Sequence, residues 1–170
     1  MNKKFERLIL TMFGVGYFSF FPGTIASLLT CIFFYFFWIF IGLKDYQLLI
    51  YITLVLIFIY SSYVINKHYN NKDAQEIVID EFVGQSIPIM SFYYLNNLKI
   101  LTIFSDLFDG KIFEIWIILS FLLFRFFDIL KIFPINLVDK KIKNGFGVML
   151  DDVIAGVFAT ISLYIIILWI

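Results

Sequence analysis

The stretch DDVIAGVFATISLYIIILWI (residues 151–170) places two adjacent carboxylates directly before 18 residues that carry no charge. A membrane-spanning helix needs about 20 mostly apolar residues, so residues 152–170 are predicted to cross a bilayer. A carboxylate at the bilayer centre costs about 2.5–3.5 kcal/mol even on the most lenient insertion scale. The Asp151-Asp152 pair is therefore expected at the membrane surface or inside the protein, where a partner can compensate its charge.

Apolar segments of similar length recur along the chain. The composition is 62% hydrophobic and 15% charged, whereas soluble domains average about 45–50% and about 25%. These features predict an all-α fold, a polytopic membrane helical bundle of about four to five transmembrane or re-entrant helices, formed by residues 1–170 as a single domain. The spans are predicted at 25–43, 47–65, 82–95, 113–131 and 152–170. The third span is short and contains Pro88, so it is predicted to be kinked or to depend on its neighbours.

Charge and residue usage exclude several classes of function. The 13 basic and 13 acidic residues give a net charge of zero, and no basic patch with interleaved aromatics indicates a nucleic-acid partner. Cys31 is the only cysteine, which excludes an intrachain disulfide and a cysteine metal cluster. His68 is the only histidine and is predicted in a polar loop, so a mechanism that needs several histidines is excluded.

Basic residues collect in alternate loops, and this asymmetry predicts the orientation of the chain. They precede the first span, separate the second from the third and follow the fourth: Lys3, Lys4, Arg7, Lys67, Lys72, Lys131, Lys140, Lys141 and Lys143. The positive-inside rule then predicts a cytoplasmic N-terminus and a C-terminus outside. The N-terminus is expected to be retained and not cleaved as a signal peptide, because Glu6 interrupts its basic region and no clear small-residue cleavage site follows. In this orientation the Pro22-Gly23-Thr24 turn and both acidic doublets lie on the cytoplasmic face, together with Arg125 and Asp128.

Arg125, Asp128 and Lys131 follow one another at intervals of three residues, which is typical of one helix face. An intrahelical ion pair is the simplest interpretation of the first two, and a lysine at the end of a span often anchors the helix in the interface. Taken together, two cations around a carboxylate also suit a phosphate-and-metal site. Arginine can hold phosphate oxygens in a bidentate fork while the aspartate holds a cation.

The two acidic doublets, Asp80-Glu81 and Asp151-Asp152, each stand before an apolar segment. The second follows Asn144-Gly145-Phe146-Gly147, which is predicted to be flexible, so its carboxylates could also serve as N-cap and first-turn residues. Carboxylates on separate helices suit Mg²⁺, which prefers oxygen ligands in octahedral geometry. Other acidic residues, namely Asp45, Asp106, Asp109 and Asp139, are predicted to be ordinary loop charges.

Four motifs occur in order along nearly the whole chain, over about residues 13–165. They are Pro22-Gly23-Thr24-x-x-Ser27, Ile79-Asp80-Glu81-Phe82-x-Gly84, Phe124-Arg125-x-x-Asp128-x-x-Lys131 and Gly145-x-Gly147-x-Met149-x-Asp151-Asp152-x-x-Ala155-Gly156. Their order and spacing resemble phosphatidylglycerophosphatase A, a family of bacterial inner-membrane lipid phosphatases. Ser19 and Ala26 depart from the family, which often has proline and glycine at these two positions.

The resemblance implies Mg²⁺-dependent hydrolysis of phosphatidylglycerophosphate to phosphatidylglycerol and phosphate in phospholipid biosynthesis. The multi-pass protein would work in the bacterial inner membrane with its active site facing the cytoplasm, with the bilayer and the lipid substrate as partners. The motif positions carried onto this chain are Asp80, Glu81, Arg125, Asp128, Lys131, Asp151 and Asp152.

The chemistry of these side chains suggests a role for each of them. Mg²⁺ is assigned to Glu81, Asp128, Asp151 and Asp152, and the substrate phosphate to Arg125, Lys131, Thr24 and Ser27. Asp80 would orient or deprotonate the attacking water, although an aspartyl-phosphate or a Ser27 or Thr24 nucleophile is an open alternative.

Two functions from other classes compete with the phosphatase. A small membrane transporter or channel component would use its ionisable side chains along an ion path, and therefore distribute them through the depth of the bilayer. A structural membrane subunit would give no reason for the charged motifs to converge on one face. The predicted convergence favours the enzyme.

Overall fold

The chain is helical throughout the regular parts of its computed structural model, which describes residues 3–42, 44–69, 74–95 and 111–169. This confirms the all-α prediction for the described part of the chain. Two short 3₁₀ turns, Val15–Tyr17 and Lys44–Tyr46, accompany the α-helices. In chain order the described α-helices are α1 (Lys3–Leu10), α2 (Pro22–Phe40), α3 (Gln47–His68), α4 (Ile79–Met90), α5 (Phe92–Leu95), α6 (Ile112–Leu130), α7 (Ile135–Lys141) and α8 (Gly145–Trp169).

Three of the described helices, α2, α3 and α8, are long and apolar enough to cross a membrane. Their outer faces expose large apolar side chains such as Phe36, Leu56 and Ile165, as expected where a helix faces lipid and not water. Helix α6 has the same length as α2, 19 residues, but carries Glu114, Arg125 and Asp128. The described bundle therefore combines three plainly apolar helices with one charged helix of similar length.

Helix α4 lies between the longer helices and is too short to span a bilayer alone. Its 12 residues extend about 18 Å, against about 30 Å of hydrocarbon. Side chains satisfy the carbonyl groups at its inner end, because Trp116 Nε1 donates to Pro88 O at 2.8 Å and Tyr164 Oη donates to Ser91 O at 2.9 Å. A helix can end at membrane depth when its backbone groups are paired in this way.

Glycines allow α4 and α8 to approach each other closely. A Cβ on Gly156 would overlap the carbonyl oxygen of Gly84, and a Cβ on Gly84 would lie 2.6 Å from the carbonyl oxygen of Asp152. Small residues at such positions let helix backbones pack in membrane proteins. This contact brings the acidic doublets of the two helices together.

Several helix boundaries differ from the predicted spans. Helix α8 begins at Gly145 and not at residue 152, because Asn144 Oδ1 accepts a hydrogen bond from Gly147 N at 3.0 Å and caps the helix. The Gly145–Gly147 stretch is thus helical, and the prediction of a flexible segment was wrong. Asp151 and Asp152 consequently lie in the second turn and have no N-cap role. Helix α2 likewise begins at Pro22, since proline fits the first helical turn.

The described helices share one polar end. Helices α2, α4 and α8 begin there, whereas α3 and α6 end there. Helix α1 is attached to the same end, because Glu6 pairs with Lys67 and His68, and Leu10 O accepts a hydrogen bond from Val78 N at 3.0 Å. His68 is the last residue of α3, so its predicted loop position was wrong. The predicted loop around Asp106 and Asp109 lies outside the described residues.

Candidate active site

A cavity of about 750 Å³ opens at the polar end of the bundle. Its walls come from the starts of α2, α4 and α8, the segments before α2 and α4, the end of α6, and α7 with the segments on either side of it. The cavity brings together nearly all of the predicted site residues, which are Thr24, Asp80, Glu81, Arg125, Asp128, Lys131, Asp151 and Asp152.

Three carboxylates form the most compact group in this cavity. Asp80, Glu81 and Asp152 each have a carboxylate oxygen within 4.8 Å of the others. Among the described residues, Glu81 Oε2 and Asp152 Oδ2 are buried without a hydrogen-bond partner. Buried unpaired charges are costly, so this arrangement fits a cation held between the carboxylates.

The first turn of α2 lies directly against this group. A Cβ on Gly23 would overlap Glu81 Oε1 and would lie 3.5 Å from Arg125 Nη1. The glycine of the predicted Pro22-Gly23-Thr24 motif is therefore needed for a close approach. The helix N-terminus also carries partial positive charge, which favours a nearby carboxylate.

Arg125 and Asp128 form the ion pair expected from their spacing, with Nη1 2.5 Å from Oδ2. The Arg125 side chain is 15% exposed and the Asp128 side chain 14% exposed, so the pair is well shielded from solvent. Arg125 Nε is buried and has no hydrogen-bond partner among the described residues. The guanidinium group thus retains donor capacity that an incoming anion could use.

Lys131 lines the cavity, but it does so from the end of α6 and not from the predicted helix face. It follows the end of α6 with φ 43°, a left-handed conformation that ends the helix, so it does not continue the helix face of Arg125 and Asp128. Its Nζ donates to Asp139 Oδ1 at 2.7 Å and to Asp151 Oδ2 at 2.9 Å. Asp139 therefore lies in the site, and its prediction as an ordinary loop charge was wrong.

The two hydrogen bonds of Lys131 are reflected in its acid–base equilibrium. Burial lowers the pKa of Lys131, but the hydrogen bonds to Asp139 and Asp151 outweigh burial and raise it above the usual range. The hydrogen bond from Lys131 in turn lowers the pKa of Asp139. The lysine is thus a fixed cation that holds two carboxylates in place.

Two further comparisons with the predicted site concern Ser27 and the cavity rim. The Ser27 hydroxyl donates to Gly23 O at 2.9 Å and is not among the lining residues, whereas Thr24 is. The rim also contains Phe20, Gln75 and Lys143, which the sequence motifs did not indicate. Their positions depend on how distant segments fold together, so local spacing contained no signal for them.

The fold and the site define a class, an α-helical membrane protein with an acidic cavity and basic side chains at one end of its bundle. The sequence profile of the Phosphatidylglycerophosphatase A family matches residues 8–167. The chain belongs to this family, which confirms the resemblance inferred from the four motifs.

Individual relatives agree with this assignment. Phosphatidylglycerophosphatase A of Escherichia coli is 30% identical over 160 residues, which cover 94% of this chain and 82% of that protein. The Haemophilus influenzae protein of the same name is 41% identical over 97 residues, 57% of this chain, and that match spans only 49% of the relative.

A Bacteroides thetaiotaomicron protein, provisionally named a phosphatidylinositol-3-phosphatase, is 33% identical over 160 residues. That match covers 91% of this chain and 88% of the relative. No solved structure matches the chain.

Proposed function

We propose that this chain is a Mg²⁺-dependent lipid phosphatase that hydrolyses phosphatidylglycerophosphate to phosphatidylglycerol and phosphate in phospholipid biosynthesis. The observation that carries the proposal is the cavity in which four sequence-distant motifs meet. Two relatives with the matching name, from Escherichia coli and Haemophilus influenzae, support the choice of substrate. Family membership supports the reaction class, a phosphoric monoester hydrolase.

The charge of the cavity supports the involvement of a metal ion. Among the residues that the structure describes, six carboxylates line it, against the three basic side chains Arg125, Lys131 and Lys143. A phosphomonoester carries close to two negative charges at neutral pH and would be repelled by this excess of carboxylates. Mg²⁺ prefers oxygen ligands, so the donor set fits the ion that the resemblance implies.

Asp80, Glu81 and Asp152 are the residues best placed to hold the ion, since their oxygens lie closest together. Asp128 and Asp151 are each engaged by a basic side chain, so we assign them to contacts through water. This differs from the ligand set proposed from the sequence, in which Asp80 was not a metal ligand and acted only on the attacking water. When bound, Mg²⁺ would polarise the phosphoryl oxygens as a Lewis acid.

The side chains of the protein supply the remaining steps. Arg125 and Lys131 hold the phosphomonoester and stabilise charge on its equatorial oxygens. Asp80 orients the attacking water and accepts its proton as the water oxygen bonds to phosphorus. The bond between phosphorus and the glycerol oxygen breaks, and that oxygen takes up a proton from solvent water to give the free hydroxyl of phosphatidylglycerol. Attack by an aspartate or by Thr24 would instead give a covalent phospho-enzyme, for which the Thr24 position at the cavity wall is suitable.

We further propose that the cavity faces the cytoplasm and that the protein lies in the bacterial inner membrane. The polar end of the bundle carries the basic residues of α1 and α7, namely Lys3, Lys4, Arg7, Lys140 and Lys141. Positively charged loops remain on the cytoplasmic side. The lipid would then enter from the inner leaflet.

The transporter alternative predicts charged side chains spread along the bundle. In the described part of the chain, six carboxylates and three basic side chains instead share one cavity at one end. This distribution supports an enzyme over an ion path.

The proposal is tested by phosphate release from phosphatidylglycerophosphate in detergent, with and without Mg²⁺. Wild type should release phosphate only with Mg²⁺, and Asp128→Asn should reduce turnover at least about 100-fold because Arg125 loses its ionic partner. Asp45→Asn, an exposed aspartate in the 3₁₀ turn at the opposite end, is the matched control and should be fully active. Near-normal activity of folded Asp128→Asn would refute the site, and no release by wild type would refute the function.

A further inference from the structure

The cavity is much larger than the reaction at a single phosphate group requires. The cavity measures about 750 Å³, far more than the about 30 Å³ that one water molecule takes up in the liquid. A phosphomonoester group, with five heavy atoms, fills only a fraction of this space. The cavity can therefore accept a larger part of a lipid headgroup.

The three basic side chains that line the cavity in the described part of the chain differ in their partners. Arg125 is paired with Asp128, and Lys131 is paired with Asp139 and Asp151. Lys143 is exposed, and no described carboxylate oxygen lies within 4.0 Å of its Nζ. Its charge reaches Asp139 only through space, as one of several cations that lower the pKa of that carboxyl group. Of these three described side chains, Lys143 is thus the one available to an additional anion.

We propose that Lys143 binds the phosphodiester of the substrate and thereby selects lipids that carry two phosphates over lipids that carry one. The inference rests on the proposed function, whose substrate has a phosphodiester and a terminal phosphomonoester joined by one glycerol. With the monoester at Arg125 and Lys131, the diester would be one glycerol away from them, and Lys143 is the third basic side chain lining the same cavity in the described part of the chain. A lysine ammonium is a compact charge with three donors and suits the free oxygens of a diester.

The test uses soluble competitors, so that binding of the protein to a charged bilayer does not enter the result. Glycerophosphoglycerophosphate has both phosphates, and glycerol 3-phosphate has one. Their inhibition constants are measured against hydrolysis of phosphatidylglycerophosphate in neutral detergent micelles. Wild type should bind the two-phosphate compound more tightly, and Lys143→Gln should weaken that binding about tenfold, the loss of one charge-assisted hydrogen bond. The inhibition constant of glycerol 3-phosphate should not change.

Two further variants separate a specific contact from a general charge effect. Lys143→Arg keeps the cation and should retain most of the preference. Lys140→Gln removes an exposed lysine of α7 that also acts on Asp139 but does not line the cavity, and it should leave both inhibition constants unchanged.

The outcomes distinguish this proposal from the function on which it rests. Equal weakening of both competitors by Lys143→Gln, no weakening of either, or a wild type without preference would each overturn the role of Lys143. A wild type that releases no phosphate from the lipid would overturn the proposed function itself.

Discussion

The two ends of the bundle differ in how their buried side chains pack and in whether their buried polar groups have partners. At the end away from the cavity, aromatic rings pack closely, with the ring centroids of Trp38 and Phe113 4.3 Å apart and those of Phe92 and Phe113 5.1 Å apart. The buried indole N–H of Trp116, which lies among these rings, has a partner in Pro88 O. At the cavity end, by contrast, buried carboxylate and guanidinium atoms of the described residues remain unpaired.

This difference indicates how stability and function are divided. Ring packing and paired backbone groups favour the folded state, so the aromatic end contributes to stability. Like charges held close together oppose folding, so the acidic group at the cavity end persists at a cost in stability. Such a cost is expected where a site is arranged for a ligand in advance. The predictions below test this division.

The largest effect is expected for Asp152→Asn. The substitution preserves shape but removes one of three clustered carboxylates, so turnover should fall about 1,000-fold or more. Because it also removes charge repulsion, the melting temperature without Mg²⁺ should rise by a few degrees. Phosphate release and thermal unfolding are measured on the same detergent preparation.

The essential result for Asp152→Asn is that turnover falls while the melting temperature rises. A melting temperature that falls together with activity would show that Asp152 supports the fold, and the proposed division between the two ends would then be wrong. Addition of Mg²⁺ should stabilise wild type more than the variant, because binding to the folded state alone raises stability.

A smaller effect is expected for Gly84→Ala at the contact between α4 and α8. The added Cβ would lie 2.6 Å from Asp152 O and 2.7 Å from a ring carbon of Phe124, so the helices must separate. Overpacking of this kind costs about 1–3 kcal/mol, and activity should fall as well because the acidic doublets move apart.

Gly42→Ala is the matched control for Gly84→Ala. Gly42 has φ 76°, and a Cβ added to it would meet no atom of the described residues within 4 Å, so only a backbone strain of about 1 kcal/mol is expected. Its site is remote from the cavity, and activity should be retained. Equal loss of activity in the two variants would show that the α4–α8 approach does not position the site.

The motif residues could be predicted from the sequence because each is tied to a helix end. The acidic doublets precede apolar segments, and Arg125 and Asp128 share a helix face. The membrane orientation predicted from the basic residues was therefore enough to place all of them at the same end of the bundle. Asp139 and Lys143 could not be found in this way. Asp139 lies in α7 and Lys143 in the segment after it, and how these parts of the chain reach the cavity depends on tertiary packing and not on periodicity.

The boundary errors have a similar physical origin. Hydropathy detects the apolar part of a helix, whereas the helix itself begins where its N–H groups find a cap. For α8 the cap is Asn144, seven residues before the Asp151 carboxylate. The intrinsic freedom of Gly145 and Gly147 predicts flexibility, yet in the fold their lack of a side chain permits contact with Ser62 and Ile142.

The smallest effect is expected for Trp116→Phe at the aromatic end. The ring is largely retained, but the indole N–H that donates to Pro88 O at 2.8 Å is lost. Ser91 Oγ also donates to this carbonyl at 2.7 Å, so the oxygen keeps one partner and the loss should be about 1 kcal/mol. The melting temperature should fall by a few degrees, while turnover per folded molecule should equal that of wild type.

Because Asp152→Asn is expected to raise the melting temperature and abolish most turnover, the pair of variants forms a direct comparison of the two ends. Reduced turnover of Trp116→Phe at an unchanged melting temperature would mean that the aromatic end positions the acidic group through α4, and that stability and function are not separated along the bundle.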